Sequence, residues 1–154
     1  MSTVYIDLDG VLANMDKKAK EILGENCTEI QEKEWNILKE KCPNFYRELE
    51  LMPSAEELWD TWQLSCAFSG ANLKILTAIP RRINWYETVN QKREWVWEHF
   101  GKNVEVMFGP FAYDKQFYCR SNRDVLVDDM ALNIQQWKDR GGMGFFYRDP
   151  LVNY

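Results

Sequence analysis

The 154-residue sequence is short of the residues that soft-metal and histidine chemistry require. It has one histidine, His99, and four cysteines, Cys27, Cys42, Cys66 and Cys119, widely spaced and without a CxxC pair. A zinc site needs clustered thiolates or imidazoles and a triad needs a histidine set against its nucleophile, so neither class fits. Scattered thiols with no pairing pattern read as the reduced cysteines of a cytoplasmic protein. No apolar run approaches the roughly 20 residues that span a bilayer, and no basic-then-apolar leader precedes the first strand-like run, so no membrane partner is expected. Basic excess is missing too: 19 Lys and Arg face 24 Asp and Glu, a net charge of −5. A chain that coats nucleic acid wants a basic face, so nucleic acid is not the expected partner. Small phosphorylated molecules remain open, because one metal ion and a few placed cations offset a local acidic site. There is no internal repeat, low-complexity tract or Pro/Gly/Ser linker.

What is present describes one α/β domain. With 45% hydrophobic and 28% charged residues, the chain has the composition and length of a globular unit that builds its own core. Short apolar runs recur at TVYID (3–7), LKILT (73–77), VEVMF (104–108), DVLVD (124–128) and GFFY (144–147). Helix-like spacing separates most of them. Ser54 and Glu57 form a capping box ahead of Ala55, Leu58, Trp59, Trp62 and Cys66; Trp95, Val96 and Phe100 end at Gly101; Met130, Ile134 and Trp137 end at Gly141 and Gly142. Alternation of this kind predicts a mostly parallel sheet flanked on both faces by helices. Residues 15–51 break the alternation. They contain no strand pattern and read as helical, around Ala19, Ile22 and Leu23 and then Ile30, Trp35, Ile37 and Leu38. About 35 residues are too few for a separate core, so the expected organisation is a core of residues 1–14 and 52–154 with a small helical cap inserted after the first strand.

The opening run, VYIDLDGVLAN (4–14), carries the chemistry. A buried strand that ends in Asp7, with Asp9 just beyond and Gly10 turning the chain, places repelling carboxylates together unless a cation sits among them. In a parallel sheet the carboxyl ends of all strands share one edge. Asp7, Thr77 and the Asp128–Asp129 pair therefore converge, and Lys115 in the YDKQ loop precedes the fourth strand. Clustered carboxylates favour Mg²⁺, a hard cation with oxygen ligands, held by Asp7, Asp128, Asp129 and the Asp9 carbonyl. Asp7, on the rigid strand end, is the candidate nucleophile, and Asp9 the candidate acid and base. Thr77, Ala78 and Lys115 would hold phosphate, with Asp129 positioning Lys115 or completing the outer shell of the metal.

The ordered motifs DLDGV, ILTA, DK and LVDDM resemble the four signatures of the haloacid dehalogenase (HAD) superfamily, specifically its phosphatases. The resemblance runs from residue 4 to about 147 and implies a Rossmann-like core with a small cap, an aspartyl-phosphate on Asp7, acid–base work by Asp9 and a Mg²⁺ cofactor. Within the superfamily, DLDGVLAN, NFYRELELMPSA (44–55), KREWVWEHFG (92–101) and LVDDMALNIQQW look most like the 5′(3′)-deoxyribonucleotidases. That likeness implies a (deoxy)nucleoside monophosphate as the small-molecule phosphomonoester, with Met15, Trp35, Phe45 and Tyr46 as substrate contacts. Ala78 stands where the family usually places Ser, so one hydroxyl contact to phosphate is missing.

Plainer readings stand beside these. Asp at a strand end often caps a turn, and Asp129 also reads as the N-cap of the Met130 helix. Trp59, Trp62, Trp95 and Trp137 read as packing, and His99 as a helix-end surface residue. Arg81 and Arg82 read as a solvated surface pair, or as contacts to a second phosphate or a polynucleotide. Competing functions are a 3′-end phosphatase of nucleic acid, a phosphatase of another nucleotide-derived molecule, and an Asp-phosphorylated or nucleotide-binding regulatory module. A homodimer is left open.

Overall fold

Five runs of β-branched and aromatic residues pair into one sheet in the computed structural model, which describes residues 1–81 and 83–154. They are β1 (Thr3–Ile6), β2 (Asn72–Thr77), β3 (Glu105–Phe108), β4 (Val125–Asp128) and β5 (Met143–Phe146), in the spatial order β3-β2-β1-β4-β5. Every pairing is parallel, and Ile6 of the central strand sits between Ile75 and Val127. The expected parallel α/β sheet is what the chain forms, with each strand close to its predicted run.

Period-2 alternation splits the core between the two faces. Val4, Ile6, Ile75, Val125 and Val127 pack into one cluster; Tyr5, Leu76 and Leu126 pack into the other. The helices α3 (Ala55–Ser69), α4 (Trp85–Phe100) and α5 (Ala131–Asp139) supply the remaining surfaces. Trp59 and Trp95 join the first cluster, and Trp137 with Ile134 joins the second. Each fully buried large side chain of this kind contributes about 1.5–3 kcal/mol of transfer free energy. Trp137 also satisfies its indole N–H on the Asp124 carbonyl (3.1 Å) and meets Tyr5 edge-on at 5.6 Å. Gly142 is needed there, because a Cβ would lie 2.4 Å from Trp137 Nε1 and 2.6 Å from Cys119 Sγ. Trp62 is half-buried and packs on Phe145, so all four tryptophans assigned to packing do pack.

The capping box at Ser54 is not formed. Ser54 is the N-cap of α3, yet its side chain makes no capping hydrogen bond. Its hydroxyl donates instead to Asp149 Oδ1 (2.9 Å) and its amide to Asp149 Oδ2 (2.8 Å). Asp149 is buried, and an unpaired buried carboxylate is costlier than an uncapped helix end, so the tertiary partner takes the hydroxyl.

Between β1 and α3 the chain makes two helices, α1 (Met15–Leu23) and α2 (Glu32–Lys41), as the helical spacing of residues 15–51 predicts. The two ends of this insertion are zipped together. The Asn14 amide donates to the Glu50 carbonyl and the Met52 amide to the Leu12 carbonyl, both at 2.8 Å. The exposed Lys17–Glu50 ion pair (2.6 Å) bridges the same neck. Ala19, Leu38, Phe45, Tyr46 and Leu49 then join the main core cluster, so the insertion is anchored to the sheet domain by apolar burial.

Candidate active site

The strand order locates the site. From β1 the chain moves outward to β2 and β3, then crosses to β4 and β5 on the other side. Neighbouring β1 and β4 therefore send their following segments apart, and the crevice beyond their carboxyl ends is where such sheets bind ligands. Asp7 follows β1 and still donates its amide to the Val127 carbonyl of β4 (2.9 Å), while Asp128 ends β4. Carboxylate oxygens of Asp7, Asp128 and Asp129 lie within 4.8 Å of one another, the sole such acidic group among the described residues.

Lys115 lies on a 3₁₀ helix, Ala112–Tyr118, and reaches into this cluster. Its ammonium donates to Asp7 Oδ1 (2.6 Å) and Asp128 Oδ2 (2.9 Å), and only 3% of the residue is exposed. Asp128 is further held by the Asn133 side-chain amide at Oδ2 (3.1 Å) and the Met130 amide at Oδ1 (2.9 Å). Lys115 is thus oriented by Asp7 and Asp128 rather than by Asp129. Nor is Asp129 the cap of α5: that position is Met130. Asp129 instead lies over Gly10, whose φ of +85° and missing side chain make the contact fit; a Cβ there would be 2.0 Å from Asp129 Oδ2.

Crowding sets the electrostatics. Burial, reinforced by the Asp128 charge, holds the Asp7 carboxyl well above the usual carboxylate range despite the pull of Lys115. Burial and Asp128 likewise push Asp129 up to about 6. For Lys115, burial alone would lower the ammonium, but Asp7 and Asp128 outweigh it and the net shift is upward. Three carboxylates against one ammonium leave a surplus of negative charge in a confined space. A divalent cation relieves that surplus.

A second buried lysine completes the site, and sequence reasoning missed it. Lys92, on α4 and 1% exposed, donates to Asp9 Oδ2 (2.7 Å), Thr77 Oγ1 (2.9 Å) and the Ala78 carbonyl (2.7 Å). One ammonium therefore ties the acidic turn after β1 to the end of β2. The signal was present: the buried face of α4 is Thr88, Lys92, Trp95 and Val96, a helical stripe in which lysine is out of place unless paired. Asp9 Oδ1 is buried and has no hydrogen-bond partner among the described residues.

A cavity of about 370 Å³ opens onto these groups, lined by Asp7, Asp9, Ala78, Lys115 and Asp129 together with Met15 and Tyr46. Thr77 and Asp128 lie beneath it, fully buried. Arg81 reaches the rim with its guanidinium 4.0 Å from the Phe111 ring centroid; Arg82 lies outside the described residues. The four residues nominated for substrate contact separate. Met15 and Tyr46 line this cavity, whereas Trp35 and Phe45 line only a different depression between α2 and α4, which Tyr46 also borders. Trp35 stacks on Tyr46 at 6.1 Å and meets Phe45 edge-on at 6.3 Å, so both rings support Tyr46 from behind. His99 is exposed and packs on Trp95, away from the acidic cluster.

Comparison with known proteins gives the family and the fold. The model of the family described as 5′ nucleotidase, deoxy (pyrimidine), cytosolic type C protein (NT5C) matches residues 1–150. No curated protein sequence matches the chain. Among solved structures, the chain is similar in fold to a HAD family hydrolase from Deinococcus radiodurans R1 with bound phosphate and sodium. The two share 11% identity and a TM-score of 0.56, over 94% of this chain and 79% of that one. A hydrolase from Streptococcus pneumoniae TIGR4 aligns at 13% identity and a TM-score of 0.55, over 97% of this chain and 95% of that one.

Proposed function

The chain belongs to the 5′ nucleotidase, deoxy (pyrimidine), cytosolic type C family and is a phosphatase of the HAD type, and from that premise we propose that it hydrolyses (deoxy)nucleoside monophosphates through a phosphorylated Asp7. One observation carries the reading. At the end of β1, two carboxylates two residues apart are held by two different buried lysines, Lys115 on Asp7 and Lys92 on Asp9, beside one cavity.

The roles follow from what each group is bonded to. Asp7, on the rigid strand end, attacks phosphorus, and the bond from phosphorus to the ester oxygen breaks. Asp9 gives that oxygen its proton, releasing the nucleoside as an alcohol. Lys92 anchors Oδ2 of Asp9, which leaves Oδ1 as the oxygen that exchanges the proton. A water then attacks phosphorus, Asp9 takes its proton back, and phosphate leaves Asp7 ionised. Lys115 stays beside the nucleophile and balances charge on the phosphoryl oxygens; Lys92 draws Thr77 and Ala78 into the same phosphate-facing wall. Asp7, Asp128 and Asp129 are a hard, all-oxygen donor set that fits Mg²⁺. When bound, that ion would neutralise the carboxylates and polarise the phosphoryl group. Residues 15–51 are read as the cap over this cavity, since Met15 and Tyr46 bring it to the rim.

A phosphate-release screen tests the proposal: 5′- and 3′-deoxynucleotides, 5′- and 3′-ribonucleotides and a 3′-phosphorylated oligonucleotide, each with Mg²⁺ and with EDTA. Turnover of the monomeric nucleotides, stopped by EDTA and restored by Mg²⁺, is the expected result. Preference for the oligonucleotide would transfer the reading to a 3′-end phosphatase, for which the stacked Arg81 at the rim is the supporting observation. A stable phospho-Asp7 with no phosphate release would make the protein a regulatory module instead.

A further inference from the structure

Three buried side-chain atoms lack a hydrogen-bond partner among the described residues: Asp9 Oδ1, Glu34 Oε2 and Tyr46 Oη. Two of the three, Asp9 Oδ1 and Tyr46 Oη, belong to residues that line the same cavity. A buried polar atom left unpaired is costly, and removing the phenol oxygen would remove that cost while keeping the ring. A ligand oxygen in the cavity would pair both atoms.

Tyr46 is held so that its hydroxyl cannot swing elsewhere. Its amide donates to Gln91 Oε1 on α4 (3.1 Å), Trp35 stacks on its ring, and Phe45 packs edge-on at 5.2 Å. The Lys92 ammonium lies 4.6 Å from the ring centroid, and the same ammonium holds Asp9. Burial first, and the Asp9 charge after it, push the phenol well above its ordinary range. A cation that touches both residues therefore holds the Tyr46 ring and the Asp9 carboxylate beside one cavity.

We propose that Tyr46 Oη donates a hydrogen bond to the oxygen that Asp9 protonates. This rests on the reading of Asp9 as the acid and base of a phosphatase. The balance is simple. The ester oxygen has two lone pairs: one accepts the Tyr46 hydroxyl, the other takes the proton from Asp9 Oδ1 as the bond to phosphorus breaks. In the second step the attacking water gives its proton to Asp9 while its spare lone pair accepts the same hydroxyl. Tyr46 is not itself deprotonated. It selects substrates whose leaving group is an alcohol in need of that help, as a nucleoside is.

Tyr46→Phe tests this without disturbing the ring packing, read as kcat/KM, which reports the steps up to phosphorylation of Asp7. With a nucleoside 5′-monophosphate, whose alkoxide leaves poorly, kcat/KM should fall roughly 10- to 100-fold. With p-nitrophenyl phosphate, whose leaving group needs no proton, the loss should stay under about threefold. The melting temperature should hold or rise by about 1–3 °C, because an unpaired buried hydroxyl has been removed. An unchanged nucleotide rate, an equal loss on both substrates, or a lowered melting temperature would overturn the proposal. Wild-type protein inactive on every phosphomonoester would sink the underlying phosphatase reading instead, so the two failures are distinguishable.

Discussion

Buried aspartates flank β4, Asp124 just before the strand and Asp128 as its last residue, and the two are treated in opposite ways. Asp124, at the amino edge, accepts the amides of Thr3 (3.0 Å), Arg120 (2.9 Å) and Ser121 (3.1 Å). Among the described residues, every hydrogen bond its carboxylate accepts comes from a neutral backbone amide, none from a lysine. Asp128, at the carboxyl edge, shares Lys115 with Asp7 and lies within the three-carboxylate cluster. The amino-edge carboxylate is a closed structural clasp joining β1, β4 and the turn before β4. The carboxyl-edge group is open: its charges exceed its cations, Asp7 and Asp129 are raised, and the Asp9 oxygen beside it is unpaired among the described residues. Satisfied carboxylates hold folds together; crowded ones await a ligand.

The largest effect that would sharpen this contrast is on turnover. Asp7→Asn should lower kcat roughly 10⁴-fold or more, with the melting temperature of the metal-free protein unchanged or higher, because one repelling charge has gone. Substantial residual turnover would remove Asp7 from the nucleophile role. Asp124→Ala should do the reverse. Losing the acceptor for three amides costs about 2–4 kcal/mol, a fall in melting temperature of roughly 5–10 °C, while kcat of the folded fraction stays within about twofold. If Asp124→Ala spared stability, the clasp would be no clasp.

The smallest expected effect concerns pH. Asp129 has a folded pKa of about 6, above the ordinary value of 3.8, so the stability it contributes is full below that ordinary value and is lost as pH rises through about 6. Asp7 is raised in the same direction. Above that window ionised Asp129 destabilises the metal-free protein, and a divalent cation relieves it; below it, protons compete with the cation. The gain in melting temperature from Mg²⁺ should therefore be larger at about pH 7.5 than at about pH 5, by roughly 3–6 °C in thermal scans. A gain that is flat across this range would place the cation elsewhere.

Much of this was legible beforehand because it is local. The strands are short runs with period-2 burial, and Asp7, Asp128 and Thr77 sit at or just after strand ends that parallel topology must bring together. The helical character of residues 15–51 followed from spacing alone. What escaped depended on distant partners. Lys92 lies in KREWVWEHFG beside an arginine and a glutamate and reads as a solvated charge until the α4 stripe is set against the sheet. Ser54 looks like a cap until Asp149, 95 residues on, claims it. Trp35 and Phe45, grouped with Tyr46 by type, turn their rings to its support rather than to the acidic cavity.

By itself the amino-acid order determined the parallel sheet, the edge on which the acidic residues gather and the class of chemistry they suit. These depend on residue type at short spacing, which chain geometry converts directly into position. Only the tertiary structure decided which cation each carboxylate meets, which aromatic ring reaches the cavity and which polar atoms are left wanting. Those outcomes are settled by burial: once water is excluded, each charged or hydrogen-bonding group must find a partner from elsewhere in the chain, and no local pattern says which.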